Sequence, residues 1–177
     1  MRVISGTARG RSLSAPKGYE VRPTAEKVKE AVFSIIQFEL PGCKVLDLFA
    51  GTGQMGIEAL SRGAESVVFV ENYRAAAEII KRNLESVSFE RKARLVASDV
   101  FSFLKASGES FDIAFLDPPY GKGLAAKALP LLATIMAENG VIICETSPGD
   151  ELPEEAGIFK IHKSYKYSDT LITVYKK

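Results

Sequence analysis

Four acidic residues stand at the ends of short apolar runs: Asp47, Glu71, Asp99 and Asp117. The first run opens into Asp47-Leu48-Phe49-Ala50-Gly51-Thr52-Gly53-Gln54-Met55-Gly56, where Gly51, Gly53 and Gly56 spell G-x-G-x-x-G. Glycines at that spacing, after a strand and before a helix, allow a tight turn and let a ligand approach the backbone. The pattern alone suggests a dinucleotide, but two details argue otherwise. A carboxylate at Asp47 repels a pyrophosphate and attracts a cation such as the ammonium of an amino-acid moiety. Three residues also separate Asp47 from Gly51, whereas a dinucleotide loop starts its glycines straight off the strand. Glu71 lies 15 residues past Gly56 and can accept both hydroxyls of a ribose. Asp99 is placed to meet an adenine amino group. A cationic adenosyl amino acid satisfies all three acids, and S-adenosylmethionine is the candidate. Phe49, Asn72 and Val100 flank the acids and complete the expected cofactor set. A plainer reading makes the acids helix caps and the glycines turn residues; three acids in register favour the cofactor.

The fourth acid opens Asp117-Pro118-Pro119-Tyr120. Two successive prolines fix φ and remove two N–H donors, leaving carbonyl acceptors beside a carboxylate. That cluster suits an exocyclic amine on a nucleobase, whose lone pair is delocalised into the ring. Accepting its two hydrogens through Asp117 and the Pro118 carbonyl orients the nitrogen and concentrates charge on it for in-line attack on a methyl group. Tyr120 can stack on the base, which must be unpaired or flipped to enter. Methylation at a pyrimidine C5 needs a thiol nucleophile. Cys43 precedes the first strand, and Cys144 lies within the fifth as a buried small hydrophobe. Cys43, Cys144 and His162 lack metal-ligand spacing, so no metal is expected.

These residues need a scaffold that brings them to one edge. From Lys44 onward, the runs Val45–Phe49, Val67–Val70, Arg94–Ala97, Ile113–Leu116 and Val141–Cys144 alternate with helical segments. The helices are expected near Met55–Arg62, Tyr73–Val87, Val100–Lys105 and Leu124–Ala137. Near-continuous apolar strands separated by helices predict an α/β fold with a parallel sheet covered on both faces. In the order 3-2-1-4-5, Asp117 faces the glycine loop across the switch-point crevice. Ile158–Lys163 and Leu171–Tyr175 are expected to close the sheet as an antiparallel pair. Upstream, Thr24 reads as an N-cap after Pro23, and Val28, Val32, Ile35 and Ile36 continue a helix to about Glu39. Residues 2–22 read as a β-hairpin or extended arm.

The chain has 177 residues, of which 46% are hydrophobic and 25% charged, the composition of one globular domain. Its apolar runs, such as Val67–Val70, are far short of the ~20 residues of a membrane span, and no secretory signal follows the N-terminus. Two cysteines suit a reducing, cytoplasmic compartment. The net charge of +1 hides an asymmetry. Residues 1–30 hold seven Lys/Arg against three Glu, a net +4, and the remainder carries −3. A basic arm on an acidic body suggests a polyanion at one end. Arg9, Arg11, Arg22, Lys27 and Lys29 are the candidate phosphate contacts, which position an RNA without reading its sequence. Lys160, Lys163 and Lys166 extend the basic surface or form a solvated strand face. We divide the chain into a basic arm and helix, 1–40, and a catalytic domain, 41–177.

Asp47–Gly53 and Asp117–Tyr120 resemble the cofactor and catalytic motifs of class I S-adenosylmethionine-dependent amino methyltransferases. Arg9-Gly10-Arg11, Arg22-Pro23-Thr24, Val28-Lys29-Glu30-Ala31-Val32-Phe33 and Leu60-Ser61-Arg62-Gly63-Ala64 narrow this. Together they resemble the bacterial RsmD-type 16S ribosomal RNA guanine-N2 methyltransferases over essentially the whole chain. The resemblance implies a Rossmann-like, seven-stranded, mostly parallel sheet and a guanine of small-subunit RNA as acceptor. It also implies an assembling or assembled ribosomal subunit as target, and we expect a monomer. Gln54-Met55 fills a stretch that in the family often holds smaller residues, and Ser168 stands where glycine is common. The alternatives are a DNA adenine-N6 methyltransferase, for which 177 residues leave little room, an NAD-binding oxidoreductase, and a non-catalytic RNA-binding module. Spacing does not choose guanine over adenine; that choice rests on the resemblance.

Overall fold

The computed structural model describes residues 1–15 and 26–177. The expected Thr24 cap, with Pro23, Arg22 and Lys17, lies outside the described residues. A single sheet is built from β1 (Lys44–Leu48), β2 (Ser66–Val70), β3 (Ala93–Val96), β4 (Phe111–Leu116), β5 (Met136–Thr146), β6 (Glu155–Ala156), β7 (Phe159–Tyr167) and β8 (Thr170–Lys176). Its order is β3-β2-β1-β4-β5-β8-β7-β6. The first five strands are parallel; β8 runs antiparallel to β5, and β7 antiparallel to β8. Eight strands replace the expected seven because two residues, Glu155 and Ala156, pair with Lys160 and Phe159. Beyond that short pairing the outer edge of β7 is open among the described residues.

The helices are α1 (Glu26–Ile35), α2 (Gln54–Ser61), α3 (Arg74–Val87), α4 (Val100–Ala106) and α5 (Leu124–Ala133). Two ends differ from the periodicity. α1 stops four residues short of Glu39, and the chain turns back through bonds from the Glu39 and Leu40 N–H groups to the Ile36 carbonyl. α5 stops before Ala137 because Met136 already pairs with Phe111 at the start of β5. Strand side chains alternate between faces. One face packs Val45, Phe69, Phe115, Ile143 and Ile172 under α1, α2 and α3. The other packs Leu46, Val68, Leu116, Cys144 and Tyr175 under α4 and α5.

The N-terminal arm is a hairpin, with the Val3 N–H donating to the Arg11 carbonyl at 2.9 Å and the Gly10 N–H to the Val3 carbonyl at 2.9 Å. It docks onto the far end of α2. At Gly6 (φ +83) a Cβ would sit 1.8 Å from the Ser61 carbonyl oxygen, so only glycine permits the approach. The Ala8 N–H donates to Ser61 Oγ at 2.9 Å. Glu58, fully buried, accepts from the Ile4 and Ser5 N–H groups at 2.8 and 3.0 Å. It also pairs with Lys29 at 3.5 Å and Arg62 at 2.8 Å. This corrects the place of Lys29 among the phosphate contacts. Its side chain is 1% exposed, and its ammonium donates to the Arg2 carbonyl at 2.8 Å. Lys29 shares the inward stripe of α1 with Phe33, four residues on, and serves the docking of the arm.

Candidate active site

The glycine loop leaves β1 at a switch point, since β1 lies between β2 and β4. Phe49 turns the chain with φ 57, an uncommon conformation for a bulky residue, and Gly51 (φ 56) and Gly53 (φ 75) continue it. Gly53 caps α2 in the left-handed region. Gly56 has a different reason: a Cβ there would lie 2.3 Å from the Phe69 ring, so it lets α2 lie close on β2. The Ala50 N–H donates to the Val70 carbonyl at 3.1 Å and so holds the loop against β2.

Register brings the acids to one rim. Asp47 pairs with Phe69 and Phe115, and Leu48 with Val70 and Leu116, so Glu71 and Asp117 leave the strands on either side of β1. Asp47 is buried, and its Oδ2 accepts the Gly56 N–H at 2.9 Å, near the positive end of α2. Burial nevertheless pushes its carboxyl up to about 7; the Gly56 bond opposes this and the Glu71 charge adds to it. Glu71 accepts from the Gly51 N–H at 2.9 Å and the Tyr73 N–H at 2.8 Å, binding the loop to the segment that carries Asn72. Asp99 caps α4, its Oδ1 accepting from the Ser102 N–H at 2.9 Å, and stands exposed before the buried Val100. Capping roles for Asp47 and Asp99 are therefore present, and both stand at the strand-end rim.

Asp117 is half-buried beside other acids. Burial pushes its carboxyl well above the usual range, and the charges of Glu145 and Asp47 push it further. Pro118 is buried, Pro119 is exposed, and Tyr120 is half-buried. The Tyr120 hydroxyl donates to Glu145 Oε1 at 2.9 Å and lies 3.4 Å from the Thr170 hydroxyl, where the β7–β8 hairpin begins its return. Ser168, at the tip of that hairpin, adopts φ 50, the region that favours glycine. Asp117 and Glu145 line one groove with Val32, Met55, Phe115, Leu116, Ile143 and Ile172. Cys144 stands nearer this site than expected, paired with Leu116, but its side chain belongs to the opposite core. Burial pushes its thiol up, so it stays a neutral apolar filler.

Three residues of this arrangement escape the sequence reading. Glu145 follows the fifth apolar run as directly as Glu71 follows the second, which is the signal that marks it. Glu58 lies in a helix whose eight residues are all buried, and no spacing in the sequence marks it. Asn83, 1% exposed on α3, binds arm and loop together. Its Oδ1 accepts the Ser14 N–H at 2.7 Å, and its Nδ2 donates to the Ser14 carbonyl at 3.1 Å and the Thr52 carbonyl at 2.9 Å. Of the basic candidates, Arg9 and Lys27 are exposed, and Arg11 is exposed with its guanidinium on the Ser86 carbonyl. Arg22 lies outside the described residues.

The comparisons with known proteins agree with this architecture. A family model described as Conserved hypothetical protein 95 matches residues 1–176. The chain is 39% identical over 182 residues to "Putative rRNA methyltransferase YlbH" of Bacillus subtilis, covering 100% of this chain and 99% of that protein. It is 31% identical over 179 residues to Ribosomal RNA small subunit methyltransferase D of Escherichia coli K12, covering 100% and 90%. A solved structure, "Putative methyltransferase yhhF" from Escherichia coli, superposes with a TM-score of 0.89 at 32% identity, over 100% of this chain and 97% of that one.

Proposed function

The chain belongs to the Conserved hypothetical protein 95 family, the RsmD-type methyltransferases, and from that membership and the rim of acids we infer that it methylates ribosomal RNA. In this reading it transfers a methyl group from S-adenosylmethionine to the exocyclic N2 amine of a guanine in small-subunit (16S) RNA. It acts as a cytoplasmic monomer on the assembling or assembled small subunit. The observation that carries the reading is the register of β1 with β4, which sets Asp117 beside the glycine loop across the switch point.

S-adenosylmethionine, when bound, supplies an electrophilic methyl group on a sulfonium sulfur. The site fits a cation. Asp47 and Asp117 are acids that burial disfavours in ionised form, and neither has an ion-pair partner among the described residues. A positive ligand relieves both. Asp47 faces its ammonium, Glu71 its ribose hydroxyls and Asp99 its adenine amine; Phe49, Gly51, Gly53, Asn72 and Val100 frame it. Asp117 and the Pro118 carbonyl accept the two hydrogens of the acceptor amine and aim its lone pair. Pro119 stiffens the turn and Tyr120 flanks the base. After the methyl group has passed to nitrogen, Asp117 takes the proton that the amine sheds. A carboxylate with raised proton affinity suits that role. Arg9, Arg11 and Lys27, with Arg22, are the phosphate contacts of this reading.

The test offers labelled S-adenosylmethionine with unmodified small ribosomal subunits, their free RNA and duplex DNA, followed by digestion to nucleosides. Label in N2-methylguanosine from subunit or RNA is the expected result. Label in N6-methyladenine from DNA keeps the chemistry and overturns the substrate. With Arg9→Ala and Arg11→Ala combined, RNA binding weakens and its salt slope becomes shallower by about 1–2. An unchanged slope in a filter-binding titration removes the arm from the RNA interface.

A further inference from the structure

We propose that Asn83 is a positioning residue through which RNA on the basic arm and the methyl donor on the glycine loop strengthen each other's binding. The proposal rests on the RNA-methylation reading above and adds a dependence between its two ligands.

Asn83 is buried on α3, between the arm and the loop. A side-chain amide offers an acceptor oxygen and two N–H donors. Here Oδ1 accepts the Ser14 N–H at 2.7 Å, and Nδ2 donates to the Ser14 carbonyl at 3.1 Å and the Thr52 carbonyl at 2.9 Å. The two bonds to Ser14 decide which way round the amide lies. Turned over, its N–H groups would meet the Ser14 N–H, and its oxygen would meet the Ser14 and Thr52 carbonyls. With the arm in place a single orientation is satisfied, and that orientation delivers a donor to Thr52. Leaving a buried donor or acceptor unpaired costs more than a formed bond contributes, so the preference is strong.

Thr52 stands between Gly51 (φ 56) and Gly53 (φ 75), residues with wide backbone freedom. The Gly53 N–H donates to the Ala50 carbonyl at 2.7 Å, so one end of the Thr52–Gly53 peptide is held by the loop itself. The other end, the Thr52 carbonyl, is held by Asn83. A second arm contact reaches the same residue, with the Thr52 hydroxyl 3.6 Å from Met1 Sδ. The arm also carries exposed Arg9 and Arg11. The Arg11 guanidinium bonds the Ser86 carbonyl, and the Ser86 hydroxyl donates to the Asn83 carbonyl at 2.7 Å, so arm and loop meet on the same turns of α3. RNA phosphates on these arginines hold the arm on α3, the held arm fixes the Asn83 amide, and the amide fixes the loop. Whichever ligand binds first meets the cost of ordering this assembly, and the second does not. The gain is the same in both directions.

The experiment titrates the full chain with S-adenosylhomocysteine, which has no methyl group to transfer, and with unmodified 16S RNA. Calorimetry gives Kd for the first and filter binding for the second, each alone and each with the other saturating. In the wild type each should tighten the other by about 10-fold, and by the same factor. Asn83→Ala should reduce that factor to below about 2-fold, while each affinity measured alone falls only a few-fold. The factor is a ratio within one protein, so a partly unfolded fraction cancels. Independent binding in the wild type overturns the role of Asn83 alone. So does a factor that Asn83→Ala leaves intact, since that is the mark of direct contact between RNA and donor. An RNA affinity and salt slope unchanged by Arg9→Ala with Arg11→Ala overturn the arm's contact with RNA, and this proposal with it. A wild type that binds no RNA overturns the proposal together with the RNA-methylation reading.

Discussion

Two groups of acids lie on the same face of the sheet, and the protein treats them in opposite ways. Glu58 is surrounded by donors: two arm N–H groups, the Lys29 ammonium and the Arg62 guanidinium. At the rim, Asp47 has a single N–H bond and Asp117 has carboxylates for neighbours. A buried carboxylate given its own cations fastens one part of the chain to another. Carboxylates left with raised proton affinity have an unmet preference for positive charge, which a cationic ligand would meet. α2 joins the two regions, with its first turn bonded to Asp47 and its last to the arm.

This contrast can be broken at either end. The largest effect is expected from Asp117→Ala, which should lower single-turnover methyl transfer by about 1,000-fold. Cofactor affinity, measured by calorimetry, should change only a few-fold; its loss would move Asp117 from the acceptor to the cofactor. Glu58→Ala strands a buried ammonium whose proton affinity burial already lowers. It should cost on the order of 3–5 kcal/mol in urea unfolding, and a cost under 1 kcal/mol would dissolve the distinction between the two acid sites.

Asp47→Asn should act in the opposite sense on stability. The folded carboxyl titrates near 7, above its value in the unfolded chain. The ligand-free protein therefore holds a proton there through the mildly acidic range and loses stability as pH rises through about 7. The variant removes that loss, so it should be more stable than wild type at pH 8, on the order of 4 kcal/mol, and nearly indistinguishable near pH 4. Its cofactor affinity should fall about 100-fold. Wild-type affinity for the cation should itself weaken between pH 8 and pH 6 as Asp47 protonates, and a flat profile would take Asp47 out of the cationic subsite. The smallest effect is expected from Asn83→Ala. It leaves the Thr52 carbonyl and the Ser14 backbone without their partner and should cost about 1–2 kcal/mol. The accompanying loss of cofactor affinity should be a few-fold.

The parallel strands were legible because each is a short apolar run closed by a helix, and the rim because acids follow those runs directly. Glu145 obeys the same rule: it follows the fifth run directly, and the sheet order sets it beside Asp117. The charge of Lys29 points to the surface, but its four-residue spacing to Phe33 places it inward. Helix ends were the least legible. The α5 periodicity continues through Ile135 and Met136, residues that the sheet claims. Glu155–Ala156 is too short to leave any pattern.

The open margin of β7 has a consequence for handling the protein at high concentration. From His162 to Tyr167 the outer edge of this strand has no strand partner among the described residues and offers its backbone groups to any extended chain that meets it. Lys163 and Lys166 stand along that margin, and like charges on two such strands disfavour their pairing. Salt screens that repulsion, with a Debye length of about 3 Å at 1 M. Concentrated solutions at molar salt are therefore where this sheet would grow beyond a single molecule.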